Sequence, residues 1–202
     1  MDKEKAIKEF VNFVEGRMSF EEFWRNYENN NDYKKLLDDK KPLEVNFARA
    51  KGRTVYQMLQ IYNESTALDK LNVWHILKTY LQHYKIPCTP TMKYEEDVKF
   101  RQAIQPSYIS IEDEEYFNSI IATAPTDLTP AQQKKWLKEK IKDLFRYDKS
   151  PPRWIQDPEW PIVGGKPLVF KSQTKNDPND ERIWYTFYDP ETGEETTVMQ
   201  FH

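Results

Sequence analysis

The chain holds one cysteine, Cys88, in 202 residues, and five glycines against thirteen prolines. A lone cysteine excludes an internal disulfide and fits a reducing compartment. Phosphate-cradling loops need clustered glycines so that backbone N–H groups can approach an anion. The one adjacent pair here is Gly164-Gly165, too little for such a loop. No apolar run approaches the ~20 residues needed to span a bilayer. The start, Met1-Asp2-Lys3-Glu4-Lys5, opens into a charged amphipathic pattern where a signal peptide would place an apolar core. A cytoplasmic protein with no membrane partner is expected. Neither sign of charge dominates: 30 Lys and Arg stand against 33 Asp and Glu, a net charge of −3. Bulk basicity for holding phosphates is missing, so no nucleic-acid partner is expected.

Aromatic residues are what the chain has in plenty, at 14%, and each large ring buries about 150–250 Å². Most of them fall into helical patterns. Ala6, Ile7, Phe10, Val11, Phe13 and Val14 form a stripe that stops at Gly16, a candidate left-handed cap. Ser19 precedes Glu22 in a capping-box arrangement, and Phe20, Phe23, Trp24 and Tyr27 follow. Short helices are expected over 33–37 and around Val55 to Tyr62. A long one runs from Leu68 to Tyr84 with Leu68, Leu71, Trp74, Leu77, Leu81 and Tyr84 on one face. Residues 93–104 read as a further helix. Ser110 and the acids after it read as the start of the next, and Thr129-Pro130-Ala131-Gln132 opens the last, which should reach Tyr147.

The period changes after residue 150. Five prolines punctuate 151–167, and then come three short runs, Leu168 to Gln173, Arg182 to Tyr188 and Glu195 to Phe201. Turn signals separate them at 176–180 and at Asp189-Pro190-Glu191-Thr192-Gly193. The expected fold is α+β: an N-terminal multi-helix region over 1–150, then a Pro/Trp-rich segment and a three-stranded antiparallel β-meander over 151–202. Three strands alone are marginal in water, so the meander should pack with the helices as one domain.

Catalytic chemistry is hard to find. His75 and His83 lie eight residues apart on one helix, too far to chelate as an i,i+4 pair, and His202 ends the sequence. No metal or other cofactor is expected. The acids of 95–97 and 112–115 fall at helix starts, where the helix dipole favours them. An enzyme would need a pocket gathering Glu95, Asp97, His83 or Cys88, and that reading stays open as the lesser one. The last quarter is different. Residues 151–202 hold nine acids against five basic residues, while the first 150 hold 24 against 25. Three of the six tryptophans fall there too. Aromatic anchors among acidic turns suit a surface that captures a basic protein, and the residues expected to form it are Trp154, Trp160, Asp177, Asp180, Glu181, Trp184, Tyr188, Glu191 and Glu194. The alternative is that the rings fill a core and the acids keep the turns soluble.

The run Pro151-Pro152-Arg153-Trp154-Ile155-Gln156-Asp157-Pro158-Glu159-Trp160-Pro161, then Gly165-Lys166-Pro167-Leu168-Val169-Phe170 with Gln173, and Tyr185-Thr186-Phe187-Tyr188-Asp189-Pro190-Glu191-Thr192-Gly193-Glu194 with Gln200, resembles a pattern in uncharacterised bacterial proteins. Similar sequences occur among predicted immunity proteins of bacterial toxin systems, and part of the proline–tryptophan run resembles the YwqG-like family. The resemblance covers about 50 residues and brings no active-site residues with it. It implies a non-enzymatic bacterial binding module, an immunity protein that neutralises a basic toxin. A regulatory or scaffold protein of another pathway is the alternative.

Overall fold

A computed structural model describes residues 3–38, 52–62, 66–175 and 181–201. The expected turn at 176–180 and His202 lie outside these residues. The fold is α+β, with eight described helices followed by a three-stranded antiparallel sheet. The chain divides into two compact units, 1–99 and 100–202.

The first unit contains α1 (Lys3–Val14), α2 (Phe20–Asn29), α3 (Asn31–Leu37), α4 (Val55–Leu59), α5 (Ala67–His83) and the first half of α6 (Lys93–Ile104). Ala6, Phe10, Phe13 and Val14 of α1 are buried, as their spacing requires. The Ser19 hydroxyl accepts from the Glu22 N–H at 3.1 Å and so caps α2. Trp74 of α5 is fully buried, and its indole N–H donates to the Val14 carbonyl at 2.9 Å. The Thr91 N–H donates to the same carbonyl at 3.0 Å. Both bonds satisfy a group that the end of α1 leaves without a helical partner. The face of α5 differs at its ends from the expected stripe. Val73, Trp74, Ile76, Leu77, Tyr80 and Leu81 are buried, whereas Leu68 and Tyr84 are exposed. Leu68 sits in the first turn and Tyr84 is the C-cap, so the helix overhangs the core at both ends.

The second unit completes α6 and adds α7 (Glu114–Ala122), α8 (Pro130–Leu144), the two-residue strands β1 (Ile162–Val163) and β2 (Lys166–Pro167), and β3 (Val169–Thr174), β4 (Arg182–Tyr188) and β5 (Glu195–Phe201). The start of α7 is later than the sequence suggests. Asp113, not Ser110, is the cap, its carboxylate accepting from the Tyr116 N–H at 2.8 Å. Before it, Ile109 and Ile111 are buried and the Ile111 N–H donates to the Gln105 side chain at 2.8 Å, which ties down the non-helical approach. Thr129 and Gln132 form the reciprocal capping box at the head of α8, with Pro130 in the first turn. This helix ends at Leu144, short of Tyr147. The Arg146 carbonyl accepts from Phe170 N–H at 2.9 Å and the Asp148 N–H donates to the Phe170 carbonyl at 3.0 Å, so 146–148 lies along β3 instead.

Gly164 and Gly165 both have positive φ, 56° and 75°, and turn β1 into β2. The longer sheet has the order β3-β4-β5, antiparallel throughout. Tyr185 and Phe187 on one face of β4 join a single core with Phe117 and Ile120 of α7, Leu137 and Ile141 of α8, Phe145, Trp160 and Phe170.

Gly16 tests the first unit's architecture. Its φ is +79° and a Cβ would lie 3.2 Å from the Thr91 side chain. Gly16→Ala should lower the free energy of unfolding by about 1–2 kcal/mol, measured by urea denaturation. An unchanged midpoint would contradict a left-handed, crowded cap.

Candidate partner-binding surface

The segment between α8 and β1 has almost no regular structure, so its backbone polar groups need side-chain partners. Gln200 of β5 supplies most of them. It is fully buried; its Oε1 accepts from the N–H groups of Ile155 at 3.2 Å and Gln156 at 3.1 Å, and its Nε2 donates to the Asp157 carbonyl at 2.7 Å. The Tyr185 hydroxyl donates to the Arg153 carbonyl at 2.9 Å and accepts from the Ile155 N–H at 3.2 Å. Gln173 Oε1 accepts from the Arg153 N–H at 2.7 Å. Gln173, Tyr185 and Gln200 together hold the segment to the sheet.

This anchoring turns two expected contact residues inward. Trp160 is 6% exposed, packs edge-on against Phe145 and Phe187, and donates its indole N–H to the Leu168 carbonyl at 2.8 Å. Trp154 is half-buried, lies 4.4 Å from the Tyr185 ring centroid, and donates to the Tyr108 carbonyl at 2.9 Å. Trp160 therefore belongs mainly to the core, with only an edge of its ring left at the surface. Trp154 is chiefly a packing residue too, because its ring and its one donor are both engaged.

The remaining expected residues lie elsewhere. Trp184 sits on the opposite face of β4, half-buried, across from Met199 of β5. Its indole N–H is buried with no acceptor among the described residues. Tyr188 shares that face and donates to the Asp148 carboxylate at 3.0 Å; this bond, with burial second, raises the pKa of its hydroxyl. Glu191 and Glu194 are exposed in the β4–β5 turn, where Gly193 has φ +76° and its N–H donates to the Asp189 carbonyl at 2.8 Å. Glu191 pairs with Lys166 at 2.6 Å. Glu181 is exposed beside β4, and Asp177 and Asp180 lie outside the described residues.

A groove of about 820 Å³ opens between the first turns of α7, the Pro158–Ile162 stretch and the core-side face of β5. Its lining carries Glu112, Asp113, Glu115 and Glu159 and no Lys, Arg or His. Asp113 caps α7, and among the described residues none of the other three makes a salt bridge. Tyr116, Trp160, Pro158 and Pro161 provide apolar walls, with Thr196 and Val198 along the sheet. Burial raises the pKa of the Tyr116 hydroxyl. The sequence hides this arrangement, because each acid has a local reason to be there and only the fold brings 112–115 beside 158–161.

The residues weighed for catalysis assemble less. His75 Nε2 lies 3.9 Å from Glu95, with its pKa lowered mainly by burial. His83 is exposed, and burial raises the pKa of the Cys88 thiol, which disfavours the thiolate. Among the described residues, no three His, Cys, Asp or Glu side chains are placed to hold a metal ion, and no helix is long and apolar enough to cross a membrane.

No family model, curated protein or solved structure matches the chain.

Removing the Gln200 side chain takes their partner from the Gln156 N–H and the Asp157 carbonyl and leaves the Ile155 N–H only the Tyr185 hydroxyl. A backbone group left unsatisfied costs about 1–3 kcal/mol. Gln200→Ala should therefore destabilise the protein by about 2–4 kcal/mol in denaturant unfolding monitored by tryptophan fluorescence. A loss under about 0.5 kcal/mol, the usual range of a surface change, would contradict the clamp.

Proposed function

We propose that the chain is a non-enzymatic binding module of the bacterial cytoplasm, whose groove beside β5 captures a basic protein, and that it acts as an immunity protein by occluding a cognate toxin. The observation that carries this reading is the groove itself: four carboxylates and no cation line a cleft walled by aromatic and proline side chains. Unpaired carboxylates in a cleft with low-dielectric walls focus the field and attract a cationic partner. The excess of acid over base in residues 151–202 adds a longer-range attraction of the same sign. Rings and prolines give area at small entropic cost, because few side-chain torsions are frozen on contact.

Co-expression with the protein encoded next to this chain is the direct test. A co-purifying complex and rescue from that protein's toxicity are the expected results; no complex and no rescue would overturn the reading. In such a complex, Glu112→Gln, Glu115→Gln and Glu159→Gln together should slow association about tenfold at low salt and flatten its salt dependence, measured by stopped-flow fluorescence. Identical association rates would place the contact elsewhere.

A further inference from the structure

The meander has two edges, and they are not equivalent. Phe170 of β3 is hydrogen-bonded to Arg146 and Asp148, so part of that edge is covered. On the other side, the register fixes which groups of β5 point outward. The Asp189 N–H donates to the Glu194 carbonyl at 2.9 Å. In an antiparallel ladder hydrogen-bonded pairs recur at every second residue, here Phe187 with Thr196, Tyr185 with Val198 and Ile183 with Gln200. Glu195, Thr197, Met199 and Phe201 then turn their N–H and C=O groups away from β4. Phe201 bears this out, since its carbonyl accepts from Gln156 Nε2 at 2.8 Å. Among the described residues nothing hydrogen-bonds the outward backbone groups of Thr197 or Met199.

An open edge alone would be only a hazard. This one runs along the acidic groove, and the side chains of Thr196 and Val198 form its wall. A strand added about 4.8 Å outside β5 would aim every second side chain to the same side as those two. Its alternate side chains would lie beside Met199, which is 38% exposed. The two faces thus ask for different chemistry: cationic towards Glu112, Glu115 and Glu159, and apolar at Met199 on the other, where Glu195 is already paired with Lys171 and Thr197 lies between. A second copy of β5 fits poorly, because Glu195–Phe201 contains no basic residue and would bring Glu195 and Thr side chains to a site that selects cations.

Resting on the binding reading above, we infer that the partner is engaged by strand addition: an extended segment alternating basic and apolar residues pairs with the Glu195–Met199 edge of β5 and places its basic side chains in the groove. Main-chain pairing sets the register, and the alternation selects the sequence.

The test uses the full chain and a fluorescein-labelled heptapeptide of alternating lysine and valine, followed by fluorescence anisotropy at low salt. Three control peptides accompany it: the same composition in blocks, glutamate in place of lysine, and the alternating peptide N-methylated on its edge-facing amides. Only the alternating lysine–valine peptide should bind well, the block and N-methylated forms being at least about tenfold weaker. Thr197→Pro removes one outward N–H without touching the β4 ladder, a placement edge strands tolerate. It should weaken binding about tenfold with the thermal midpoint little changed. The N-methylated peptide gives the same answer with the protein unaltered, should that variant fold poorly. Equal binding of the block and N-methylated peptides would overturn strand addition while leaving the acidic groove as a binding surface. No binding of any lysine peptide would overturn the inference, and co-expression would still decide the binding function independently. A concentration-dependent dimer that excludes the peptide would overturn it as well, by giving the edge to a second copy.

Discussion

The Gln200 carboxamide reaches from the last strand into a stretch of chain that cannot make its own hydrogen bonds. Pro151, Pro152, Pro158 and Pro161 keep that stretch out of helix and sheet, so each buried N–H and C=O needs an outside partner. Gln200 provides for Ile155, Gln156 and Asp157 together, Tyr185 and Gln173 provide for Arg153, and Tyr185 shares Ile155 with Gln200. With the backbone fixed there, Trp154 is laid on Tyr185, Trp160 enters the core and Pro158–Pro161 forms one wall of the groove. Sheet, core and cleft in this unit all lean on a single neutral, buried side chain that is hydrogen-bonded through both its oxygen and its nitrogen. A charged group in its place would carry a desolvation cost without matching both donor and acceptor needs.

Local rules explain what could be read in advance. The strands β4 and β5 match the sequence reading residue for residue, because Pro190 and Gly193 pin a hairpin turn between two runs of strand-forming residues. The head of α8 is equally legible, since cap, proline and glutamine act within one turn. Its tail is not: 145–148 leaves the helix to pair with Phe170, a partner more than twenty residues later. The start of α7 shifts to Asp113 for a similar reason, the burial of Ile109 and Ile111 in a core that the local pattern does not reveal.

The site was partly legible. Acidity and aromatic density did direct attention to the last quarter of the chain, but the roles divide differently. Helical or strand periodicity assigns faces, and an irregular proline-rich segment has neither, so nothing local distinguishes Trp160 as core from Trp160 as contact. Glu112 and Glu115 lie on the rim of the groove while also favouring the start of α7 through its dipole. Only the fold brings them beside Glu159 in one groove, a juxtaposition the sequence does not show. Thr196 and Val198 were simply strand residues until the register turned their neighbours' backbone groups outward.

A clamped segment and an open edge divide the sheet's surroundings, and native-state amide hydrogen exchange measured by NMR on the free protein tests that division directly. The Ile155 and Gln156 amides, bonded to Gln200, should exchange only through opening of the whole unit, while the Thr197 and Met199 amides, lacking partners, should exchange rapidly. Fast exchange at Ile155 and Gln156, or strong protection at Thr197 and Met199, would contradict it.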